Sequence, residues 1–298
     1  MNTFDYHRPT SLEQAWRLAQ QPGACFIAGG TDLMVRIRDG RETPSALISL
    51  RNIPALRGIE IGQSDAVSRS HQSGAACWIG AGTPIADLAA DDQLAQMCPL
   101  LVAAARRLAG PQVRNVATLG GNLCNASPCA DTAPPLLVME ARVRVESPTG
   151  AREVPLEEFF VAPGQTRLAP GEIVTAVLFD PPPTGSLGSF QRRSRVRMDV
   201  SMASVAVLVT LEGQRCVRAR VAAGSVGPRP LRLTGVEAVL AGQELGDKVI
   251  AAARTQVEAE ISPISDVRSS AWYRRRVTGA MVERALTNML DKTGGGAP

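Results

Sequence analysis

Three consecutive prolines, Pro181 to Pro183, flanked by Asp180 and by Thr184-Gly185, divide this chain. Proline fixes φ and has no amide hydrogen, so such a run continues neither a helix nor a central strand. It reads as the clearest linker in the sequence. With 298 residues there is enough chain for two domains of roughly 150 residues each. The break predicts one domain over residues 1–179, with parts at about 1–60 and 61–179, and a second over 186–292. Hydrophobic residues make up 45% and charged residues 20%, values that support packed cores rather than disorder.

The first part reads as a βαβ-type unit. Thr10-Ser11-Leu12-Glu13 is a capping box, with the threonine as cap and Glu13 reaching back. Leu12, Ala15, Trp16 and Ala19 follow at helical spacing, and Pro22-Gly23 stops that helix. Cys25 to Ala28 is a short buried strand, Gly29-Gly30 a turn, Thr31 to Arg38 a helix, and Ala46 to Leu50 a second strand. The next part opens with the strand Trp78 to Gly82, after which Thr83-Pro84 caps a helix with proline as its first residue. Leu100 to Ala109 is a helix ending at Gly110-Pro111. Beyond the glycine-rich stretch from Thr118 to Asp131 come a helix through Leu136 to Met139 and strands at 142–145 and 172–179. After the linker, residues 202–211 and 217–221 form a hairpin about Glu212-Gly213-Gln214. Helices at 235–241, 247–261 and 273–290 complete the chain, and the glycine tail from Gly294 predicts a frayed end.

Several functions are excluded or weakened at once. The net charge of +4 is spread along the chain with no aromatic stacking platform, which argues against nucleic acid as a partner. No apolar run reaches the ~20 residues needed to span a bilayer. The opening residues lack the charged and apolar regions of a signal peptide, and cysteines 25, 77, 98, 124, 129 and 216 have no disulfide-framework spacing. A cytoplasmic protein is expected. There is no P-loop and no complete GxGxxG, and His7 and His71 alone do not supply a hydrolytic triad or a multi-histidine metal site. Cys124 and Cys129 lack a second pair at cluster spacing and are read as structural or incidental rather than as cluster or zinc ligands.

Two glycine-rich turns remain. The first is Ala28-Gly29-Gly30-Thr31-Asp32-Leu33, and the second is Thr118-Leu119-Gly120-Gly121-Asn122. Without a Cβ, glycine lets the backbone approach a ligand and turns successive N–H groups toward one point. Such a cradle suits an anionic diphosphate, to which Thr31 and Thr118 could add hydroxyls. Either turn alone is also read as a tight turn and nothing more. Asp131, just before a helix, fits both an N-cap and a carboxylate accepting hydrogen bonds from sugar-like hydroxyls. Arg192, Arg193, Arg195 and Arg197 fit a solvated strand edge better than a partner-facing surface, and Arg274-Arg275-Arg276 reads as a solvated turn.

These two turns, with Asp131 following the second, resemble the paired FAD loops of the xanthine dehydrogenase and carbon monoxide dehydrogenase flavoprotein family. The resemblance extends to Tyr6-His7-Arg8-Pro9-Thr10-Ser11-Leu12, to Leu47-Ile48-Ser49-Leu50, to Gly80-Ala81-Gly82-Thr83, and in the last domain to Gly224-Ser225-Val226-Gly227-Pro228 and Trp272-Tyr273-Arg274. It implies an α+β fold: a PCMH-type FAD-binding domain of two α/β subdomains, followed by a C-terminal α+β domain of antiparallel sheet and helices. It further implies that residues from Ile27 to Leu33 (Ile27, Ala28, Gly29, Gly30, Thr31, Asp32, Leu33) and Thr118, Leu119, Gly120, Gly121 and Asn122 hold the FAD diphosphate. Asp131 would bind the flavin's sugar-like chain, Leu108 and Val174 would line the site, and Gln191 stands where some relatives place a lysine.

By the same resemblance the chain is an oxidoreductase subunit and names no catalytic acid or base of its own. FAD is expected to be noncovalent, since neither His7 nor His71 lies in a flavin loop. A large partner with a molybdenum-pterin cofactor and a small partner with two [2Fe–2S] clusters are implied, in a dimer of heterotrimers. The flavin chain would take electrons from the clusters and pass them to NAD, quinone or oxygen. Gly121-Asn122 runs to Asp131 without room for an inserted [4Fe–4S] loop. Two other readings stay open: a standalone flavin dehydrogenase or oxidase, and a flavin-free binding or assembly subunit.

Overall fold

The computed structural model describes residues 3–62 and 76–294, and the side chains of those up to 291. His71 and the end of the glycine tail lie outside the described residues.

Strands β1 (Asp5–His7), β2 (Ala24–Ile27) and β3 (Ala46–Ser49) form a parallel sheet in the order β1-β3-β2. Parallel neighbours need crossovers, and α1 (Leu12–Leu18) and α2 (Leu33–Arg38) supply them. Alternation along β3 sends Ile48 to the α1 side with Ala15, and Leu47 to the α2 side with Ile27 and Ile37. The N-cap of α1 is Ser11, one residue later than the capping-box reading: its Oγ accepts from Gln14 N at 3.3 Å, while Gln14 Oε1 accepts from Thr10 N at 3.0 Å. Ser-x-x-Gln satisfies the same pattern as Thr-x-x-Glu, and the structure uses the later register.

The second subdomain carries β4 (Ile59–Ile61) and β5 (Cys77–Gly80), then helices α3 (Ile85–Ala90), α4 (Asp92–Met97), α5 (Pro99–Arg107), α6 (Pro111–Arg114), α7 (Leu119–Cys124) and α8 (Ala133–Val138). There follow β6 (Arg142–Ser147), β7 (Gly150–Pro155), α9 (Leu156–Phe159), β8 (Phe160–Ala162), β9 (Gln165–Thr166) and β10 (Ile173–Phe179). The sheet runs β4-β5-β10-β6-β7 with every neighbour antiparallel. All of β10, the apolar run Ile-Val-Thr-Ala-Val-Leu-Phe, is buried at its centre. The expected Thr83 cap is corrected: Pro84 is the N-cap of α3, and Thr83 Oγ1 instead bonds both N and O of Gly58 at 3.1 Å. A buried hydroxyl with two backbone partners on hand is better satisfied there than at a helix end.

The C-terminal sheet, β11 (Ser186–Arg193), β12 (Ala203–Glu212), β13 (Arg215–Gly224) and β14 (Leu231–Arg232), is antiparallel in chain order. Helices α10 (Thr234–Leu240), α11 (Asp247–Glu260) and α12 (Ala271–Gly294) cover one face. The period of two along β12 explains how the domains join. Val205, Val207 and Val209 point into the core under those helices, while Ala206 and Leu208 belong to the core of the second subdomain with Leu100 and Leu136. A sheet buried on both faces reads as an unbroken apolar run, as residues 205–209 do. Among the described residues, no helix is long and apolar enough to cross a membrane.

Charges staple the same junction. Glu140 accepts from Arg220 Nε at 2.9 Å and also pairs with Arg218, both on β13. Burial pushes the Glu140 carboxyl up, but Arg220 and Arg218 more than offset this and hold it below the usual glutamate range. A depressed carboxyl stabilises the fold above its unfolded pKa, and that contribution disappears as pH falls through the folded value. Thermal scans on Glu140→Gln should therefore show a flatter acid limb than the parent chain, with the two curves converging below the ordinary glutamate range. Equal slopes would leave the staple without energetic weight.

Candidate functional site

The two glycine motifs meet each other before they meet any ligand. A Cβ on Gly29 would stand 2.2 Å from the Val116 carbonyl oxygen and 2.8 Å from Ala117 Cα. One on Gly120 would stand 2.6 Å from Ala81 Cβ. Both glycines are thus required by close backbone packing: Gly29 joins the first subdomain to the segment leading into α7, and Gly120 seats α7 against the end of β5. Gly30 has φ +72, the left-handed region that favours glycine.

The motifs then differ. Among the described residues, no carbonyl or side chain accepts from the backbone N–H groups of residues 29–33. Five consecutive donors are thus left without an acceptor in a segment that lines a cleft, and a run of free N–H groups suits an anion. The second motif has no such surplus. Leu119 N donates to Thr83 O at 3.1 Å, Gly120 N to Ala81 O at 2.8 Å, and Asn122 N to Thr118 O at 2.9 Å. Gly121 N donates to Thr118 Oγ1 at 3.1 Å, making Thr118 the N-cap of α7. The expectation of two equivalent N–H cradles is corrected accordingly. The second motif is the first turn of a helix whose donors are already taken, and it offers the cleft the bare surface of Gly121 and the Asn122 side chain.

The cleft itself has a volume of about 500 Å³ and is lined from the loops of the three larger sheets. Of the residues expected at the site, the run from Ile27 to Leu33 lines it, as do Leu108, Thr118, Gly120, Gly121, Asn122, Asp131 and Val174. A register shift in β10 between Val174 and Ala176 accompanies the turn of Val174 toward it. Leu119 and Gln191 are not part of its wall. Leu119 is fully buried in the core, on the opposite side of α7 from Gly121. Gln191 sits one residue away from the side chain that does reach the cleft, and strand alternation sends the two to opposite faces.

That side chain is Arg192, which the solvated-edge reading placed outside. Its Nε donates to Asp131 Oδ2 at 2.8 Å, with the two side chains 5% and 6% exposed. Arg192 also donates to Ser194 Oγ at 2.9 Å and to the Asp199 carbonyl. Asp131 does not cap α8; Thr132 stands at that N-cap, without a side-chain bond. Burial pushes the Asp131 carboxyl above the usual aspartate range, against the Arg192 charge and the nearby Ser201 hydroxyl. Its Oδ1 is buried with no hydrogen-bond partner among the described residues. A buried carboxylate oxygen left bare costs about 1–3 kcal/mol or more unless something donates to it. A sugar-like hydroxyl in the cleft would be such a donor.

Other residues of the wall carried no sequence signal. Arg36 of α2 donates to Asn125 Oδ1 across the cleft at 3.2 Å. Met198, Asp199 and Val200, on the loop after β11, form one rim. Asp131 and Arg192 are 61 positions apart, and only the sheet pairing of β11 brings them together. Arg274 is likewise no solvated turn: it is 3% exposed and donates to Met202 O at 2.7 Å, Ser225 O at 3.2 Å and Asp266 at 2.8 Å. Among the described residues no group of three or more histidine, cysteine or acidic side chains is placed to hold a metal ion.

Comparison with known proteins matches residues 2–181 to the family described as the FAD binding domain in molybdopterin dehydrogenase, and residues 188–289 to the carbon monoxide dehydrogenase flavoprotein C-terminal domain. The chain is 31% identical over 293 residues to the xanthine dehydrogenase FAD-binding subunit of Escherichia coli O157:H7, covering 97% of each chain. It is 32% identical to the carbon monoxide dehydrogenase medium chain of Afipia carboxidovorans, covering 95% of this chain and 96% of that one. Among solved structures, a chain of the carbon monoxide dehydrogenase of Hydrogenophaga pseudoflava superposes with a TM-score of 0.89 at 30% identity, covering 96% of each.

Proposed function

The chain belongs to the family of FAD-binding subunits of molybdenum hydroxylases, and on that premise we propose that it holds FAD noncovalently in the cleft as an electron relay. The observation that carries this is the match between unsatisfied groups and the cofactor's parts. The N–H groups of residues 29–33, without an acceptor among the described residues, belong to one wall of the cleft, and Asp131 of the second subdomain, whose buried Oδ1 has no partner among the described residues, belongs to another.

Each residue's task follows from its chemistry. The N–H groups of residues 29–33 receive the diphosphate, with the Thr31 hydroxyl beside them. Gly121 admits the chain of the cofactor where any side chain would intrude, and Asp131 accepts from its hydroxyls. Arg192 orients Asp131 and opposes the burial that raises its carboxyl. Leu108 and Val174 exclude water from the apolar walls. FAD, when bound, supplies the exchange between one-electron and two-electron carriers, and the chain supplies binding, placement and electrostatics.

On this reading a small partner would hold [2Fe–2S] clusters and a large one a molybdenum-pterin centre, within a dimer of heterotrimers, and the FAD held by this chain would supply the link between those centres and NAD, quinone or oxygen. Six unpaired cysteines agree with a reducing, cytoplasmic setting. The test is rapid mixing of the co-expressed complex with the large subunit's substrate under anaerobic conditions. Cluster absorbance should bleach before or with the flavin, and the flavin-loaded chain alone should not respond. Direct reduction of the isolated chain by a small substrate would instead make it a standalone flavoenzyme.

A further inference from the structure

The wall of the cleft carries more negative charge than positive. Four carboxylates line it, those of Asp32, Asp131, Glu172 and Asp199, against two arginines, Arg36 and Arg192. Three of the carboxylates have an arginine of their own: Asp131 pairs with Arg192 at 2.8 Å, Glu172 with Arg152 at 2.7 Å, and Asp199 with Arg195 at 2.7 Å. Arg192 is spent further on Ser194 and on the Asp199 carbonyl. Asp32 and Arg36 are left over. The Asp32 carboxylate takes the Thr31 hydroxyl at 3.4 Å and, among the described residues, no ion pair.

Helical spacing brings Arg36 to this wall. Its N–H donates to Asp32 O at 3.1 Å, one turn into α2, so its side chain shares a face with Asp32 and Leu33, which both line the cleft. Ile37, the next residue, turns into the core of the first subdomain. Arg36 Nη1 donates to Asn125 Oδ1 at 3.2 Å and so bridges the first subdomain to the second. The rest of the guanidinium is under-used. Nε is buried without a hydrogen-bond partner, and the one carboxylate within ion-pair reach among the described residues, the half-exposed Glu42, stands 3.9 Å from it. A guanidinium carries five N–H donors, and the acceptor it has found is a neutral oxygen.

We propose that Arg36 is the cation that balances the FAD diphosphate, its guanidinium held at the cleft by Asn125 and binding phosphate oxygens together with the N–H groups of residues 29–33. The assignment rests on the noncovalent-FAD reading. Phosphate oxygens are what a half-used guanidinium recognises best, through paired, charge-assisted hydrogen bonds. The backbone donors carry no net charge, so they orient a diphosphate but leave its negative charge beside Asp32. A fixed cation in the same wall offsets that repulsion. Because Arg36 and Asn125 stand on different subdomains, one contact joins the grip of the first subdomain on the cofactor to that of the second.

The experiment is titration of the full chain, stripped of flavin, with FAD at several salt concentrations, followed by flavin fluorescence. The parent is compared with Arg36→Gln, Arg36→Lys and Asn125→Ala. Arg36→Gln should weaken FAD binding about ten- to a hundredfold, the size expected for hydrogen bonds to a charged group, and should flatten the salt dependence of Kd. Arg36→Lys keeps the charge without the planar fork, so it should keep the salt dependence and recover part of the affinity. Asn125→Ala should lose less than Arg36→Gln and titrate with the parent's salt dependence. A merely structural Arg36 gives another pattern, with similar losses in all three variants and an unchanged salt dependence, and that pattern overturns the assignment. Should Arg36→Gln not fold, Arg36→Lys decides: a flattened salt dependence there overturns the assignment, and a retained one with weaker binding supports it. A parent that binds FAD no better than Arg36→Gln does, both with measurable affinity, removes the role of Arg36 and leaves the cofactor reading standing. A parent that takes up no FAD removes both.

Discussion

A chain carrying Gly29→Val is expected to purify without FAD. The added Cβ would sit 2.2 Å from one backbone oxygen and 2.8 Å from a backbone carbon, and neither can rotate away as a side-chain tip could. The first motif must then separate from the segment before α7, which moves five anion-binding donors away from the rest of the cleft. Overpacking of this kind costs about 1–3 kcal/mol when side chains yield, and more when backbone must. Gly121→Ala is the informative contrast. Its Cβ would meet Thr118 Oγ1 at 2.9 Å and otherwise only Ala28 Cβ at 3.9 Å, so the fold should survive with weakened FAD binding. Heat-released flavin and the melting temperature separate the two cases. Full FAD content in the Gly29→Val chain would show that the contact between the motifs does not shape the site.

Arg192→Met is expected to have the next largest effect, on stability as well as on FAD. Removing one member of a buried ion pair strands the other, at a cost of about 3–5 kcal/mol, and this pair is 5% and 6% exposed. The loop through Asp199 also loses its anchor. Burial already raises the Asp131 carboxyl, and without the guanidinium nothing of comparable strength opposes it. The folded state then holds the proton more tightly than the unfolded state does. The variant's deficit is largest at pH above the raised value and shrinks as pH falls through it, opposite in sign to the Glu140 contribution. Adding Asp131→Asn should restore much of the stability and none of the FAD binding, a non-additivity expected of neighbours in one network. Denaturant titrations at two pH values decide the matter. Additive losses that do not depend on pH would mean that the pair is not coupled.

What could be read from the sequence was whatever depends on neighbours in the chain. The helices over 99–107, 234–240 and 247–260, and the hairpin turning at Gly213-Gln214 follow from periodicity and turn chemistry, which act over a few residues. Both glycine motifs were visible for the same reason, and the resemblance they carried pointed to the cleft. Their physical roles were not visible. Whether a glycine serves a ligand or a neighbouring backbone depends on what lies across from it, and Val116 is 87 positions from Gly29 in the chain. The spent donors of Leu119 and Gly120 depend on Thr83 and Ala81, carbonyls that only tertiary packing delivers. Arg192 and Arg274 were misplaced at the surface because charge alone says exposed, whereas each is buried against an aspartate supplied from elsewhere. Gln191 and Arg192 show how little separates the two outcomes: one step along a strand changes the face.

The most direct test begins with the chain purified without partners and precipitated by heat or acid, after which flavin is measured in the supernatant and the pellet. Stoichiometric FAD in the supernatant and a colourless pellet are the predicted result, and the same release should fail to occur from the Gly29→Val chain because nothing was bound. Flavin retained covalently in the pellet would contradict the noncovalent site. A colourless chain that takes up no added FAD would contradict the cofactor assignment altogether.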